Sequence, residues 1–451
     1  MTRIHRLTIL LTATLALSGC VLFQVGEQQA KLSARCEIAG TVKVQLASSS
    51  ANNTHAPLIV ALYRHVNGTP LERSNWQVYD FSVLSRTDEW RFNVAPGDYA
   101  VVAVQDLNSN LSYDAGEPAY VPNVQQSMHC AGRGEEIVQN VVINGVPEGA
   151  ETSVDFFSMR IGEDKQQIGQ TFAAAPLTAG QITTLDDPDF SREMASMGLW
   201  KPYDFIQRAR MGIYFLQDYD AKKTPVLFVH GLSGTPTDFR KLIGSLDNAR
   251  FQPWVAYYPS GIPLGLLSKR LAELLHEVHL RYGFSQVMVV SHSMGTLVSR
   301  AMLMNLHDIG DDFVPLFITV AGPWDGVASA ALGVRDAPTP VWSWIDIAPR
   351  SDFLDSLFYR DDAAHTRARL PASTQHYLLF SYLPNQGSDG TIALTSQLRV
   401  EAQDEATALV GVEGSHVGVL SDPRTLTVVH KLLDSTTTAA ATRNERVAQQ
   451  R

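Results

Sequence analysis

The fold of this chain is decided at Val287-Met288-Val289-Val290-Ser291-His292-Ser293-Met294-Gly295. The four apolar residues at its start, three of them β-branched, are typical of a buried strand. A helical pattern follows over residues 296–305. Small residues surround Ser293 between these two segments. The stretch therefore predicts a strand, a sharp turn and a helix in direct succession, with Ser293 at the turn.

The same alternation of strand and helix patterns extends over residues 212–434. Apolar runs typical of strands occur at residues 226–229, 254–258, 287–290, 316–320, 377–382 and 408–412. Helical patterns, such as that of residues 264–282, lie between them. Strands that alternate with helices imply a mostly parallel sheet covered by helices on both faces, so we expect an α/β fold here.

Residues 37–150 show a different sequence pattern, in which short segments of alternating apolar and polar residues are separated by turn signals such as Asn67-Gly68. This pattern predicts an antiparallel β-sandwich. Residues 151–211 read as a connector, and residues 435–451 as a disordered tail without periodicity.

Ser293 is a candidate nucleophile. A serine hydroxyl reacts only when a base can reach it and when backbone N–H groups face the charge that develops on the substrate. A strand, turn and helix around G-x-S-x-G provides that setting. Here the first glycine is replaced by Ser291, another small residue. The alternative is a simple turn at the entrance of a helix.

A second glycine-containing loop, Val229-His230-Gly231-Leu232-Ser233-Gly234, follows an apolar run. It resembles the oxyanion loop of α/β-hydrolase lipases, and the chain is distantly similar to the lipases of the GPI inositol-deacylase group. The resemblance implies an α/β-hydrolase fold over residues 212–434. It also implies that the main-chain N–H groups of Leu232 and Met294 stabilise the oxyanion.

In this family an acid and then a histidine follow the nucleophile. Two positions match: Asp389, in Ser388-Asp389-Gly390-Thr391, and His416, in Glu413-Gly414-Ser415-His416. Histidine suits the base because its ordinary pKa lies near neutrality. Asp325 is an alternative acid. The competing histidines are expected to be structural: His292, His376 and His430.

The implied chemistry is hydrolysis of carboxylic esters through an acyl-serine, without a cofactor. Phospholipase, thioesterase and acyltransferase reactions use the same three residues. A non-catalytic lipoprotein that binds through its β-sandwich is an alternative of another class. Residues 324–371 hold many large apolar side chains and are a candidate lid, which favours lipid or acyl-ester substrates. An ordinary amphipathic helix buried on the sheet would show the same pattern.

The N-terminus has two arginines, an apolar run over residues 7–17 and then Leu17-Ser18-Gly19-Cys20. This pattern resembles the lipobox of bacterial lipoproteins, in which a signal peptide, here residues 1–19, is removed and the cysteine is acylated. Residues 20–36 would form a tether. The resemblance implies a lipid-anchored protein of the bacterial cell envelope. Outer-membrane attachment is favoured because Val21, not aspartate, follows the cysteine.

Charge and cysteine content limit the partners. The net charge of −10 argues against nucleic-acid binding. Three cysteines are present. If Cys20 carries lipid, Cys36 and Cys130 form the only intrachain pair, and a disulfide is expected in an oxidising compartment.

One loop of the sandwich region resembles the calcium loop of an EF-hand. Oxygen-bearing side chains occupy the first, third, fifth, seventh, ninth and twelfth positions of residues 106–117, namely Asp106, Asn108, Asn110, Ser112, Asp114 and Glu117. Leu111 replaces the glycine of the sixth position. The loop thus predicts either a structural calcium site or a solvated turn rich in Asn and Asp.

Overall fold

A computed structural model describes residues 23–46, 56–65, 76–84, 88–122, 127–147, 154–161 and 177–449. The predicted signal peptide and Cys20 lie outside the described residues. No helix within these ranges is both long and apolar enough to cross a membrane.

The first domain is a β-sandwich, as predicted, but two of its strand pairs are parallel, whereas the sequence predicted antiparallel pairing. Its strands are β1 (Cys36–Val44), β2 (Leu58–His65), β3 (Trp76–Leu84), β4 (Glu89–Val94), β5 (Gly97–Gln105), β6 (Ser112–Tyr113), β7 (Ala119–Tyr120), β8 (Met128–Cys130), β9 (Glu136–Val138), β10 (Val141–Ile143) and β11 (Val154–Asp155). One main sheet is built around β1 and the other around β2 and β5. Buried and exposed residues alternate strictly along β4, so its apolar side chains face the core between the sheets.

The predicted cysteine pair is present as a disulfide between Cys36 and Cys130. It joins the start of β1 to the end of β8, strands that belong to different sheets. Both cysteines are fully buried in the sandwich core. The bond therefore links the two layers of this domain.

The second domain is built on one sheet of eight strands. They are β12 (Leu177–Ile182), β13 (Met211–Phe215), β14 (Thr224–Val229), β15 (Phe251–Tyr257), β16 (Met288–His292), β17 (Leu316–Val320), β18 (Gln375–Tyr382) and β19 (Ala406–Glu413). Their spatial order is β12-β13-β15-β14-β16-β17-β18-β19. All neighbours are parallel except β13 and β15. The mostly parallel sheet confirms the predicted α/β fold class.

Helices occur before, within and after the sheet. They are α1 (residues 23–33), α2 (Phe156–Ile161), α3 (Arg192–Trp200), α4 (Pro202–Arg208), α5 (Arg240–Gly244), α6 (Leu264–Tyr282), α7 (Met294–Ile309), α8 (Ala328–Asp336), α9 (Trp342–Ile347), α10 (Asp352–Ser356), α11 (Leu394–Gln397), α12 (Val400–Glu405) and α13 (Pro423–Gln449).

Both faces of the sheet are covered. Along β14, Leu227 and Val229 belong to the core shared with α6 and α7, whereas Val226 and Phe228 belong to the core shared with α5 and α13. Successive strand residues point to opposite faces, so a continuous apolar run is what a doubly covered strand requires.

Three predicted boundaries differ from the structure. The sheet begins with β12 at Leu177, so the second domain starts well before residue 212. The supposed tether contains α1, whose Val25 and Gln28 are buried one helical turn apart. The supposed tail continues α13 to Gln449. Its alanines at 439–441 favour a helix, and Thr436 and Thr437 hydroxyls bond to carbonyls one turn earlier.

Most of the candidate lid is core. Trp324, Leu354, Leu357 and Phe358 are buried in the large cluster beneath α7. Arg300 of α7 stacks on the Phe358 ring at 4.4 Å and donates hydrogen bonds to the carbonyls of Leu357 and Ala368. These contacts fix the second half of residues 324–371 to α7. Only α8 and α9 keep large exposed apolar side chains, Leu332 and Ile345.

The two domains share a packed junction. Leu111 of the sandwich and Phe157 of α2 are fully buried in the core of the second domain. Arg281 of α6 lies over the Phe157 ring and donates a hydrogen bond to the Asn110 carbonyl at 3.2 Å.

Candidate active site

Ser293 lies at a strained turn between β16 and α7. Its φ is 54°, a left-handed conformation that is uncommon for serine. Two glycines allow the close packing around it. A Cβ on Gly231 would lie 2.7 Å from the Ser293 Cβ, and a Cβ on Gly295 would lie 2.4 Å from the His230 carbonyl oxygen. The turn is held by a hydrogen bond of 2.9 Å from the Ser293 N–H to the Val320 carbonyl.

The structure brings Ser293, His416 and Asp389 together. His416 Nε2 lies 2.8 Å from Ser293 Oγ, and His416 Nδ1 lies 2.7 Å from Asp389 Oδ2. All three residues are buried. Because the carboxylate accepts from Nδ1, Nε2 is left free to take the serine proton.

The environment of Asp389 keeps it ionised. Burial alone would raise its pKa, but the hydrogen bond and charge of His416 act in the other direction. The backbone N–H of Ile392 and the hydroxyl of Ser381 also donate to the carboxylate, at 2.7 and 2.8 Å. Together these partners hold the pKa of Asp389 below its usual range.

Gln397 supports the loop that carries the acid, a role that nothing in the sequence indicated. Its side chain is fully buried. Its oxygen accepts the Ser381 N–H at 2.8 Å, while its amide nitrogen donates to the Ser381 carbonyl at 2.9 Å and to Asp389 Oδ2 at 3.3 Å. A glutamine at the end of a short helix carries no recognisable motif, so only the folded structure reveals these bonds.

His292 contacts the histidine loop and does not merely pack beneath the turn. Its Nε2 donates to the His416 carbonyl at 2.8 Å, and the two rings lie 4.8 Å apart. Burial, and next the charge that His416 would carry, lower the pKa of His292 to about 3. His292 is therefore neutral at physiological pH and holds the main chain of His416 in place.

The predicted oxyanion donors border the serine. Leu232 follows Gly231, and within the described part of the chain its N–H has no hydrogen-bond acceptor. Met294 is the first residue of α7, where helix N–H groups lack an intrahelical partner, and the Ser293 side chain does not cap it. Both N–H groups are thus available to a ligand, although their role stays a prediction.

Ser293, Asp389 and His416 follow one another along the chain in the order expected of one fold, and their side chains are hydrogen-bonded to each other. The strand order of the sheet and the turn at Ser293 match the same fold. Residues 177–449 have the α/β-hydrolase fold. The predicted resemblance to lipase-like α/β-hydrolases is confirmed by a match of the lecithin:cholesterol acyltransferase family to residues 267–334. This match includes Ser293 but neither Asp389 nor His416.

Several solved α/β-hydrolase structures resemble the chain at low sequence identity. The Bacillus licheniformis lipase BlEst2 in mature form is 18% identical, with 48% of this chain and 94% of that chain covered and a TM-score of 0.38. Aspergillus fumigatus lipase B is 18% identical, with 49% and 55% covered and a TM-score of 0.36. Phospholipase PlaB from Legionella pneumophila is 14% identical, with 51% and 64% covered and a TM-score of 0.36. None of the curated proteins compared with the chain matches it.

The competing residues lie elsewhere in the α/β-hydrolase domain. Asp325 is exposed, and Asp389 takes the position beside His416. His376 is buried on β18 and bonds to the Thr319 hydroxyl at 2.9 Å. His430 of α13 bonds to the Ser245 hydroxyl at 3.1 Å. Within the described ranges, both histidines bond to hydroxyl groups of other residues and neither bonds to Ser293.

The oxygens of the candidate calcium loop are engaged by amide donors. Asp106 accepts the Leu111 N–H at 2.8 Å, Glu117 accepts two backbone N–H groups, and Asp114 accepts the Asn110 side-chain amide at 2.8 Å. Among the described residues, no group of three or more His, Cys, Asp and Glu side chains converges in a way that could hold a metal ion. Calcium binding therefore stays a prediction from the sequence.

Proposed function

We propose that the protein is a serine hydrolase that cleaves carboxylic esters, with lipids or other acyl esters as substrates. The observation that carries the proposal is the chain of hydrogen bonds from Ser293 Oγ through His416 to Asp389, at 2.8 and 2.7 Å. Such a chain lets a histidine remove the proton of a serine as the oxygen attacks a carbonyl carbon.

In the first half of the reaction, His416 Nε2 takes the Ser293 proton while Oγ forms a bond to the ester carbonyl carbon. The carbonyl oxygen becomes negative and accepts hydrogen bonds from the N–H groups of Leu232 and Met294. Each of these donors contributes roughly 3 kcal/mol of transition-state stabilisation. His416 then gives the proton to the leaving alcohol oxygen as the C–O bond breaks.

In the second half, His416 takes a proton from water while the water oxygen attacks the acyl-serine. Return of that proton to Ser293 Oγ releases the carboxylic acid. Throughout, the ionised Asp389 stabilises the positive ring of His416 and fixes its tautomer.

Hydrolysis of p-nitrophenyl esters, from acetate to palmitate, tests this proposal in a form that begins after Cys20. Activity is expected in the wild type and lost in Ser293→Ala. Ser299→Ala is the matched control, because Ser299 is also buried but its hydroxyl has no hydrogen-bond partner among the residues that the structure describes. Absence of activity on every ester would favour the alternative in which a lipoprotein binds through its β-sandwich.

Acyl transfer is a second candidate, favoured by the match of residues 267–334 to an acyltransferase family. In that reaction an alcohol replaces water in the second half. Adding a long-chain alcohol during hydrolysis should then yield a new ester at the expense of free acid, and free acid alone would leave hydrolysis as the activity.

We further propose that Cys20 carries lipid and anchors the protein in the bacterial cell envelope, at the outer membrane. The lipobox-like sequence and the disulfide, which suits an oxidising compartment, support this location. Cys20→Ser should move the protein from the membrane fraction to the aqueous fraction, and an unchanged distribution would contradict the anchor.

A further inference from the structure

The helix that follows the proposed anchor is docked beside the active site. Val25 of α1 is buried in a small cluster with Leu199 and Val341, and this cluster also contacts Leu232 and Trp344. Leu232 is the proposed oxyanion residue, and Trp344 belongs to α9. The first described helix therefore packs against the side of the site on which the oxyanion loop lies.

Polar contacts fix the position of α1. The Gln28 side-chain oxygen accepts the Asp204 N–H at 3.0 Å, and the Gln29 amide donates to the Pro340 carbonyl at 2.8 Å. Gln28 is buried. These bonds join α1 to α4 on one side and to the segment before α9 on the other, so α1 has one defined orientation on the second domain.

The distance from the anchor to this face is short. Only three residue steps separate Cys20 from Phe23, which spans at most about 11 Å of extended chain. A bilayer that holds the acylated Cys20 must therefore lie close to the first turn of α1, whatever path the connecting residues take.

Large apolar side chains are exposed on α1 itself, on α9, which contacts α1, and on α8, which packs against α9. Phe23 is 79% exposed, Leu332 of α8 is 51% exposed and Ile345 of α9 is 42% exposed. Helices α8 and α9 pack together, since a Cβ on Gly333 would meet the Trp344 ring at 2.6 Å. We call Phe23, Leu332 and Ile345 the apolar surface. The transfer of exposed apolar groups from water into a lipid interface is favourable.

We propose that this apolar surface lies against the bilayer in which Cys20 is anchored, so that Ser293 takes its acyl ester from the membrane that carries the protein. We assign the bilayer as the partner of the apolar surface because the anchor lies only a few residues from α1. The inference rests on the proposed anchor, and its second half rests on the proposed ester hydrolysis.

Fluorescence quenching tests the orientation without any need for activity. The full-length lipidated protein is placed in vesicles of phosphatidylethanolamine and phosphatidylglycerol that contain a spin-labelled lipid. Single cysteines introduced by Leu332→Cys or Ile345→Cys are labelled with a fluorophore. Val138→Cys is the matched control, because Val138 is 64% exposed on the β-sandwich.

We expect the label at 332 or 345 to be quenched at least about threefold more than the label at 138, because only the former enters the interface. Equal quenching, or stronger quenching at 138, would overturn the orientation. Hydrolysis of a short soluble ester by each variant verifies that the fold is retained.

Lengthening the tether tests the membrane as the source of substrate. A flexible insert of about twenty residues after Leu22 releases the body from the anchor. Hydrolysis of lipids in the same vesicle should then fall by roughly tenfold, because the effective concentration of substrate decreases, while hydrolysis of a soluble ester is unchanged. An unchanged rate on vesicle lipids would overturn supply from the membrane.

The two proposals can fail separately. If the wild type cleaves neither substrate, ester hydrolysis is wrong, and the quenching pattern still decides the orientation. If the wild type cleaves soluble esters but quenching is equal at all labels, ester hydrolysis stands and the orientation is wrong.

Discussion

His292 donates a hydrogen bond from its Nε2 to the backbone carbonyl oxygen of His416, over 2.8 Å. A carbonyl oxygen only accepts, so His292 must keep its proton on Nε2. The residue beside the nucleophile thereby holds the main chain of the base. The position of His416 relative to Ser293 therefore depends on its contact with His292 as well as on its contact with Asp389.

Replacement of His292 by phenylalanine tests this contact. His292→Phe keeps a ring of similar shape but removes the donor, so His416 loses one restraint. We expect kcat to fall by about ten- to a hundredfold with a smaller change in KM, as a misplaced base slows the chemical step. His430→Phe, which removes a histidine bonded to Ser245, should keep the wild-type kcat. Equal kcat in the two variants would contradict a positioning role.

Gln397 should hold Asp389 in position, as His292 holds the main chain of His416. Gln397→Met keeps the length of the side chain but removes the donor to Asp389 and leaves the buried N–H and C=O of Ser381 without a partner. Each unpaired group costs about 1 to 3 kcal/mol, so both kcat and the melting temperature should fall. The control is Gln403→Met, because the Gln403 side chain donates to the Leu398 carbonyl and not to the acid loop. A melting temperature and kcat as high as those of the control would exclude this role.

The identity of the acid is tested by two matched substitutions. Asp389→Asn should lower kcat by about four orders of magnitude, because the amide cannot stabilise the tautomer and charge that His416 needs. Asp325→Asn removes an exposed carboxylate and should change kcat less than twofold, within the roughly ±0.5 kcal/mol typical of surface sites. Steady-state kinetics on p-nitrophenyl butyrate would separate the two, and a larger loss at Asp325 would reverse the assignment.

Acid should destabilise the second domain before its carboxylates are protonated. Burial lowers the pKa of His376 to about 3 and that of His230 to about 4, as for His292. An unfolded histidine binds a proton near pH 6.5, so each one contributes stability that is complete above that pH and is lost as the pH falls toward the folded-state pKa.

The loss amounts to about 1.4 kcal/mol per pH unit for each such histidine. Thermal unfolding at about pH 7 and about pH 5 should therefore show a clear fall in melting temperature. His376→Gln should make this fall smaller, whereas His129→Gln on the sandwich surface should not. A pH dependence identical in the wild type and His376→Gln would refute the assignment.

The disulfide should stabilise the sandwich without affecting catalysis. The paired change Cys36→Ala and Cys130→Ala removes a link across 94 residues and should cost the sandwich about 2 to 4 kcal/mol. Ester hydrolysis at room temperature should be retained because Ser293 belongs to the other domain. Urea unfolding followed by sandwich tryptophan fluorescence measures the first effect, and an unchanged midpoint would show that the bond contributes nothing.

Local patterns were sufficient to predict much of this protein. The strand and helix that flank Ser293, the loop after His230 and the two domain classes all follow from side chains within a few residues of one another. Apolar periodicity and small residues act over that short range. Predictions failed where distant contacts decided the outcome: residues 23–33 fold as a helix because Val25 is buried against Leu199 and Val341.

The sequence by itself thus determined most of the element types within the two domains, the fold class and the candidate nucleophile and base, since each depends on a local pattern. Only the tertiary structure decided that Asp389, not Asp325, meets His416, that Gln397 and His292 hold them, and that β12 belongs to the sheet. Those contacts join residues tens to hundreds of positions apart. Their proximity depends on the order of strands in the sheet and on which buried polar groups find partners, which only the complete packing fixes.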